Sequence, residues 1–206
     1  FVLDYSVLPR RWPQPLLETA AAVAFLRSHA AEYGFRADRV AVCGFSAGGH
    51  VAASLATMYD QPELADFIQN VLHVSPKEVR PDGLLLGYPV ITSGPKAHRK
   101  SFERLLGDRY DELVKSVSLE ERVSSNTPKT FLWHTFSDGN VPVDNSLLFA
   151  ESLKKAEVPF ELHIFPNGNH GLGLGTKETD TKDGKHFEPE VYVWTELFKT
   201  WVEKNI

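Results

Sequence analysis

One serine in the sequence has the surroundings of a nucleophile. Ser46 lies in Gly44-Phe45-Ser46-Ala47-Gly48, between an apolar stretch at 40–43 and a helix-forming stretch at 51–56. A sharp turn between a strand and a helix exposes the hydroxyl at its apex, and small neighbours let the two elements approach each other. The backbone N–H of Ala47 would then open the helix and could bind a developing oxyanion. The simpler interpretation is a tight turn in which the serine caps the helix.

A serine hydroxyl is a poor nucleophile near neutral pH, so the sequence must also supply a base and an acid. His170 is our candidate base, because it lies in a Gly168-Asn169-His170-Gly171 turn after the predicted strand 160–165. Asp138 is our candidate acid, since it follows the predicted strand 130–134 within a few residues. The order serine, aspartate, histidine is the one expected when the serine occupies such a turn.

Other residues fit these roles less well. Asp144 is the second candidate for the acid, but its place at the start of a predicted helix is typical of an N-cap. We interpret His50 and His134 as packing or hydrogen-bonding residues. A zinc site built from His134, Asp138 and His170 is a weaker alternative, because no His-x-x-x-His spacing or cysteine pair accompanies them. We therefore expect no metal and no cofactor.

Apolar periodicity predicts the elements that would hold these side chains. Strands alternate with helices along the chain, which favours an α/β fold with a mostly parallel sheet and helices on both faces. Each of the three candidate residues follows a different strand near its carboxyl end, where ligands bind in such sheets. The predicted strands are 1–5, 40–43, 84–90, 130–134 and 160–165, and the predicted helices are 16–33, 47–59, 144–156 and 191–202.

Two stretches between these elements carry separate expectations. Residues 60–80 are polar and contain Pro62 and Pro76, so we predict an irregular surface segment. Residues 92–127 are rich in charged residues and have no continuous apolar pattern. We expect them to form a small cap over the site. A surface loop without any role is the alternative for this second stretch.

The composition is typical of a globular domain and gives no sign of a nucleic-acid-binding or membrane-spanning protein. The 206 residues suit a single domain, with 42% hydrophobic and 24% charged residues and a net charge of −5. No basic block indicates nucleic acid, and no apolar run is long enough to span a membrane. The single cysteine, Cys43, is interpreted as a small buried apolar residue. A chain without a disulfide fits the cytoplasm, which is our expected compartment, without requiring it.

The three turns together resemble the α/β-hydrolase superfamily, and most of all its acetyl-esterase and acetylxylan-esterase-like carboxylesterases, which are related to the hormone-sensitive-lipase group. The residues that carry the resemblance are Gly44–His50, Trp133–Val143 and Gly168–Leu172. The resemblance implies an α/β-hydrolase fold in which Ser46 is the nucleophile, His170 the base and then the acid, and Asp138 the orienting carboxylate. It also implies hydrolysis of short-chain, acetyl-type esters through an acyl-enzyme.

Acetylated sugars are the substrate class that this resemblance suggests by analogy. The implied partner is a small-molecule ester, and a homodimer stays open. Two other functions also stay open. A serine peptidase of the prolyl-oligopeptidase type shares these motifs, and a truncated hydrolase-fold protein that only binds a ligand is the second alternative.

The chain departs from the family pattern at its beginning. Such enzymes carry an upstream Gly-rich loop that supplies a second oxyanion N–H, and no such loop is present here. The first strands of the family are missing too, including the one between the predicted strand 1–5 and the strand before Ser46. We therefore expect one catalytic domain, 1–206, that is incomplete at its N-terminus. The loss of one oxyanion donor costs about 10²–10³ in rate.

Four residues near the predicted strand ends could line a substrate pocket. They are Phe45, Tyr88, Val141 and Pro142. Ordinary core packing is an equally good interpretation of each, because apolar and aromatic residues are most often buried for packing alone.

Overall fold

A parallel sheet of four strands runs through the computed structural model, which describes the backbone of residues 1–206 and every side chain except that of residue 63. The strands are β1 (Ala41–Phe45), β2 (Gly83–Gly87), β3 (Lys129–Thr135) and β4 (Phe160–Phe165). They lie in the sheet in chain order, and each pairs in parallel with the next. Their carboxyl ends therefore meet at one edge of the sheet, and the candidate residues follow there.

Helices and short helical turns connect the strands. The α-helices are α1 (Gln14–Ser28), α2 (Ala30–Tyr33), α3 (Ser46–Met58), α4 (Pro62–Phe67), α5 (Pro76–Val79), α6 (Arg99–Leu106), α7 (Tyr110–Leu113), α8 (Asp144–Lys155) and α9 (Val193–Asn205). A π-helical turn covers Ile68–Leu72, and 3₁₀ turns cover Gly107–Arg109, Leu119–Glu121 and Pro189–Tyr192. The predicted alternation of strands and helices after residue 40 is confirmed.

The side chains of β2 alternate between two cores, because successive residues of a strand point to opposite faces of the sheet. Leu84 and Leu86 pack on one face with residues of α3 and α8. Leu85 packs on the other face with Trp194 and Trp201 of α9. Helices thus cover both faces, as predicted, and this burial explains the continuous apolar sequence of β2.

Two glycines at the turn between β1 and α3 leave no room for a side chain. A Cβ atom on Gly44 would lie 2.2 Å from the carbonyl oxygen of Gly48, and one on Gly49 would lie 2.7 Å from Cβ of Pro89. A Cβ atom on Gly48 would meet its nearest neighbour, the Tyr5 hydroxyl, at an ordinary 3.6 Å. The close approach predicted at Gly44 is therefore found, and it brings Gly44 against the backbone of Gly48. Gly48 itself has room for a side chain, whereas Gly49 allows the approach of Pro89, which follows β2.

The predicted strand at residues 1–5 is wrong. These residues have no regular secondary structure and pair with none of the strands of the described sheet. Val2 is 98% exposed and Phe1 is 80% exposed, although the Phe1 ring lies edge-on to Tyr33 at 5.1 Å between centroids. An apolar sequence forms a strand only where a neighbouring strand accepts its backbone hydrogen bonds, and the segment lies beside no such partner.

Two other predicted segments differ from the structure. Residues 60–80 form α4, a π-helical turn and α5 instead of an irregular segment, because Pro62 and Pro76 each occupy a first helical position, where proline is tolerated. The predicted helix 16–33 begins earlier, at Gln14 after Pro13, and divides at His29, whose φ of −106° and ψ of 11° leave the helical region.

Cys43 is exposed, so its interpretation as a buried residue is wrong. Its side chain belongs to the face of the sheet that α9 covers. That helix packs over β2 and β3, where Trp201 and Ile206 reach Gly83, and it leaves this part of β1 open. Within the residues that the structure describes, no helix is both long and apolar enough to cross a membrane.

The tight junction predicts that Gly44→Ala destabilises the protein while Gly139→Ala does not. The new methyl group at residue 44 would collide with backbone atoms, which should lower the free energy of unfolding by about 1–3 kcal/mol. Gly139 is exposed, and a Cβ atom added there would meet no other atom within 4 Å, so its replacement should change stability by less than about 1 kcal/mol. Urea unfolding of both variants measures the difference, and equal effects would contradict the packing described.

Candidate active site

Ser46 is held in a strained backbone conformation between β1 and α3. Its φ of +53° is unusual for a residue with a Cβ atom, and its carbonyl oxygen accepts a hydrogen bond from the N–H of Val90 at 3.0 Å. The hydroxyl points at His170, with 2.7 Å between Oγ and Nε2. The turn therefore presents the oxygen outside the sheet, at hydrogen-bond distance from a base.

His170 lies in a turn that β3 fixes from one side. The carbonyl oxygen of Gly168 accepts hydrogen bonds from the hydroxyls of Thr135 at 2.9 Å and Ser137 at 3.2 Å. Gly168 has a φ of +139°, which a residue with a side chain rarely adopts. The Tyr88 ring lies edge-on to the imidazole, with 5.1 Å between the centroids. The imidazole is thus held between the serine and the acid turn.

Asp138 lies on the far side of His170 from the serine. Its Oδ2 is 2.7 Å from Nδ1 of His170, and its Oδ1 accepts the backbone N–H groups of Asn140 and Val141, both at 2.9 Å. The side chain is fully buried. Burial alone would raise the pKa of this carboxyl, but hydrogen bonds from His134, His170, Val141 and Asn140 outweigh it and lower the pKa below its ordinary value. The carboxylate therefore stays ionised.

The N–H of Ala47 lies in the first turn of α3, where backbone N–H groups have no partner within their own helix. Ala47 is exposed and follows Ser46 directly. When the Ser46 hydroxyl attacks a carbonyl group, the resulting oxyanion would lie near this N–H and the positive end of the helix dipole. The structure is thus compatible with the predicted oxyanion donor.

A cavity of about 430 Å³ opens beside Ala47. Its wall is formed by the segment 5–10, the start of α3, and the α6 residues Ser101, Phe102, Arg104 and Leu105. The lining is mostly apolar, with Arg10 and Arg104 as its charged members. None of the four predicted pocket residues contributes to it. Tyr88 is buried in one hydrophobic core, and Phe45 packs against that core. Val141 is buried in a different core, and Pro142 is half-buried.

Two buried residues, His134 and Asn145, make contacts around the site whose partners the sequence did not specify. Nε2 of His134 lies 3.4 Å from Oδ2 of Asp138, a contact that the spacing of four residues across a strand end could have suggested. Asn145 accepts the N–H groups of Ile91 and Thr92 on Oδ1, at 2.9 and 3.1 Å, and so joins α8 to the beginning of the 92–127 segment. No sequence pattern identifies these two hydrogen bonds of Asn145. Within the described part of the chain, no cluster of three His, Cys, Asp or Glu side chains could hold a metal ion.

His50 lies away from the Ser46 hydroxyl and is buried in α3. Its Nε2 lies 3.0 Å from the carbonyl oxygen of Val117, which indicates a proton on that nitrogen. Burial lowers the pKa of His50 from 6.5 to about 4, against the opposing effect of the Val117 carbonyl. The imidazole is therefore neutral near pH 7 and connects α3 to the 92–127 segment.

Comparison with known proteins places these features in a family. The family model described as BD-FAE matches residues 3–153. Endo-1,4-beta-xylanase B of Butyrivibrio fibrisolvens is 42% identical over 188 residues, which cover 86% of this chain and 28% of that protein. An acetylxylan esterase of Xylanibacter ruminicola is 29% identical over 182 residues, which cover 85% of this chain and 35% of that protein.

A solved structure agrees with this result. An acetyl ester-xyloside bifunctional hydrolase from Caldicellulosiruptor lactoaceticus superposes with a TM-score of 0.84 at 43% sequence identity, over 99% of this chain and 70% of that one. The chain spans about a third of the length of the xylanase and the acetylxylan esterase named above.

The buried neutral His50 should make stability depend on pH. The folded pKa of about 4 lies below the ordinary 6.5, so between these values the unfolded chain binds a proton that the folded chain excludes. Stability should therefore be full above pH 6.5 and fall by about 2 kcal/mol between pH 6.5 and 5 from this residue alone. Urea unfolding should show a shallower pH dependence for His50→Leu than for the wild type. His73→Asn, at an exposed position, is the control, and an unchanged slope in His50→Leu would contradict the assignment.

Proposed function

The chain belongs to the BD-FAE family of α/β hydrolases, and from this premise we propose that it is a serine carboxylesterase acting through Ser46, His170 and Asp138. One observation carries the proposal. A continuous line of contacts runs from the Ser46 hydroxyl to Nε2 of His170 at 2.7 Å, and from Nδ1 of the same ring to Asp138 at 2.7 Å. This arrangement provides a nucleophile, a base and a group that orients the base.

The first half of the proposed reaction makes an acyl-enzyme. As Ser46 Oγ forms a bond to the ester carbonyl carbon, its proton moves to Nε2 of His170 and the carbonyl π electrons move onto oxygen. The Ala47 N–H donates to that oxyanion. The carbonyl then re-forms, the bond to the alcohol oxygen breaks, and the departing alkoxide takes the proton from Nε2.

The second half releases the acid. A water molecule gives a proton to Nε2 of His170 and attacks the acyl carbon, and the tetrahedral intermediate expels Ser46 Oγ, which takes that proton back. Asp138 stays ionised throughout, keeps the Nδ1 proton in place, and stabilises the imidazolium that forms twice in each cycle. Its lowered pKa is consistent with this role.

Acetylated xylo-sugars are the substrates that we propose. The names of two relatives, an acetylxylan esterase and an acetyl ester-xyloside bifunctional hydrolase, support acetyl esters of such sugars. We also propose that residues 1–206 belong to one catalytic domain in which 92–127 is a small cap. Support comes from α6, whose residues line the cavity beside Ala47, and from the backbone bond between Trp12 N–H and the Leu105 carbonyl oxygen at 3.0 Å.

Substrate turnover tests this proposal against its two alternatives. We expect the chain to release acetate from acetylated xylo-oligosaccharides faster than it cleaves a dipeptide amide. Ser46→Ala should lower the ester rate about 10⁴-fold or more, whereas Ser28→Ala, at an exposed serine of α1, should leave it unchanged. Faster amide cleavage would favour a serine peptidase. Binding of the sugar without turnover in the wild type would favour a non-catalytic protein.

A further inference from the structure

A second histidine lies directly behind the acid of the site. His134, near the end of β3, is completely buried. Its Nε2 is 3.0 Å from the carbonyl oxygen of Val141 and 3.4 Å from Oδ2 of Asp138. Its Nδ1 is 2.8 Å from the hydroxyl of Ser146 in α8. The ring therefore touches the acid turn at two points and is fixed from the opposite side by a helix.

These contacts define the protonation of the ring. Both atoms that face Nε2, the Val141 carbonyl oxygen and Oδ2 of Asp138, are acceptors, so Nε2 must carry a proton. The Ser146 hydroxyl can donate to Nδ1, which leaves His134 neutral with all of its polar atoms satisfied. A neutral ring in this orientation presents its positive N–H edge to the carboxylate.

We propose that His134 is a positioning residue for Asp138. One oxygen of the Asp138 carboxylate, Oδ2, lies between the imidazole rings of His134 and His170. Oδ2 receives Nδ1–H of His170 at 2.7 Å and faces Nε2–H of His134 at 3.4 Å, while Oδ1 receives two backbone N–H groups. The His134 ring thereby limits how strongly the carboxylate holds the proton of His170, and its bond to Val141 fixes the acid turn. The inference rests on the proposed function of this site.

The contact between His134 and Oδ2 of Asp138 should affect the pKa of His170 in one direction. Removal of the His134 ring takes its N–H edge, 3.4 Å away, from Oδ2, and that oxygen becomes a stronger acceptor for His170. The imidazolium form of His170 is then better stabilised, and the pKa of His170 rises. Because His170 must be neutral to accept the serine proton, the acidic limb of the pH–rate profile should move to higher pH. A residue that only fills space in the core would not move that limb.

Two other ionisable groups lie near His170. Tyr88 lies against His170 from the end of β2, and its hydroxyl accepts the N–H of Gly173 at 3.1 Å. His98, in the 92–127 segment, has its pKa lowered by burial and then by the charge of His170. The titration of His98 must therefore be separated from that of His170, which His98→Gln achieves by removing its signal.

Nuclear magnetic resonance of the imidazole nitrogens tests the proposal without relying on turnover. The titration midpoint of His170 should rise by about 0.5–1 pH unit in His134→Leu. His134→Gln keeps an N–H donor near the same place and should shift the midpoint by less than half as much. His50→Leu is the matched control, because His50 is also buried and also contacts a carbonyl oxygen, but it does not touch Asp138. Its His170 midpoint should equal that of the wild type.

Three results would overturn the assignment. They are an unchanged midpoint in a folded His134→Leu protein, equal shifts in the leucine and glutamine variants, and a wild-type His134 whose proton lies on Nδ1. The position of the His134 proton is measured in the wild-type protein. It therefore tests the proposal even if His134→Leu does not fold. An absence of ester turnover would instead count against the proposed function, and it leaves these titrations interpretable.

Discussion

The buried carboxylate of Asp138 is the group on which the rest of the site depends. A charge that is removed from water is costly unless donors replace its hydration. Here the replacement comes from two backbone N–H groups of the acid turn, from His170 and from the edge of His134. These donors belong to different parts of the chain, so the carboxylate is stable only where the ends of β3 and β4 lie side by side.

The sheet provides that arrangement. Because β1 to β4 run parallel in chain order, the serine, acid and histidine turns leave the same edge one after another. Close packing then fixes the distances. Gly44 leaves no room between β1 and α3, and Gly168 brings the histidine turn against Thr135, whose Cγ2 would lie 2.8 Å from a Cβ atom at that glycine. The strained backbone of Ser46 is thus stabilised by close packing in the turns on either side of it.

Much of this could be predicted from local sequence, and the failures have a common cause. The four strands after residue 40, the turn at Ser46 and the grouping of Ser46, Asp138 and His170 follow from apolar runs that glycine-containing turns interrupt. The ends of the strands are less well predicted, because the strand predicted at 84–90 ends at Gly87. The segment 1–5, the exposure of Cys43 and the lining of the cavity depend on what lies opposite each residue in space. Trp12 meeting Leu105 is such a contact, since no pattern in either segment indicates the other.

Labelling with a fluorophosphonate most directly tests whether Ser46, His170 and Asp138 work as one unit. We expect one adduct, located by peptide mass spectrometry on Ser46 and absent in Ser46→Ala. Asp138→Asn should slow labelling about 10²–10⁴-fold. Asp144→Asn should match the wild type within about threefold, because this carboxylate is partly exposed and pairs with Lys96 at 3.5 Å. An adduct on another residue, or equal slowing by both aspartate variants, would contradict the triad.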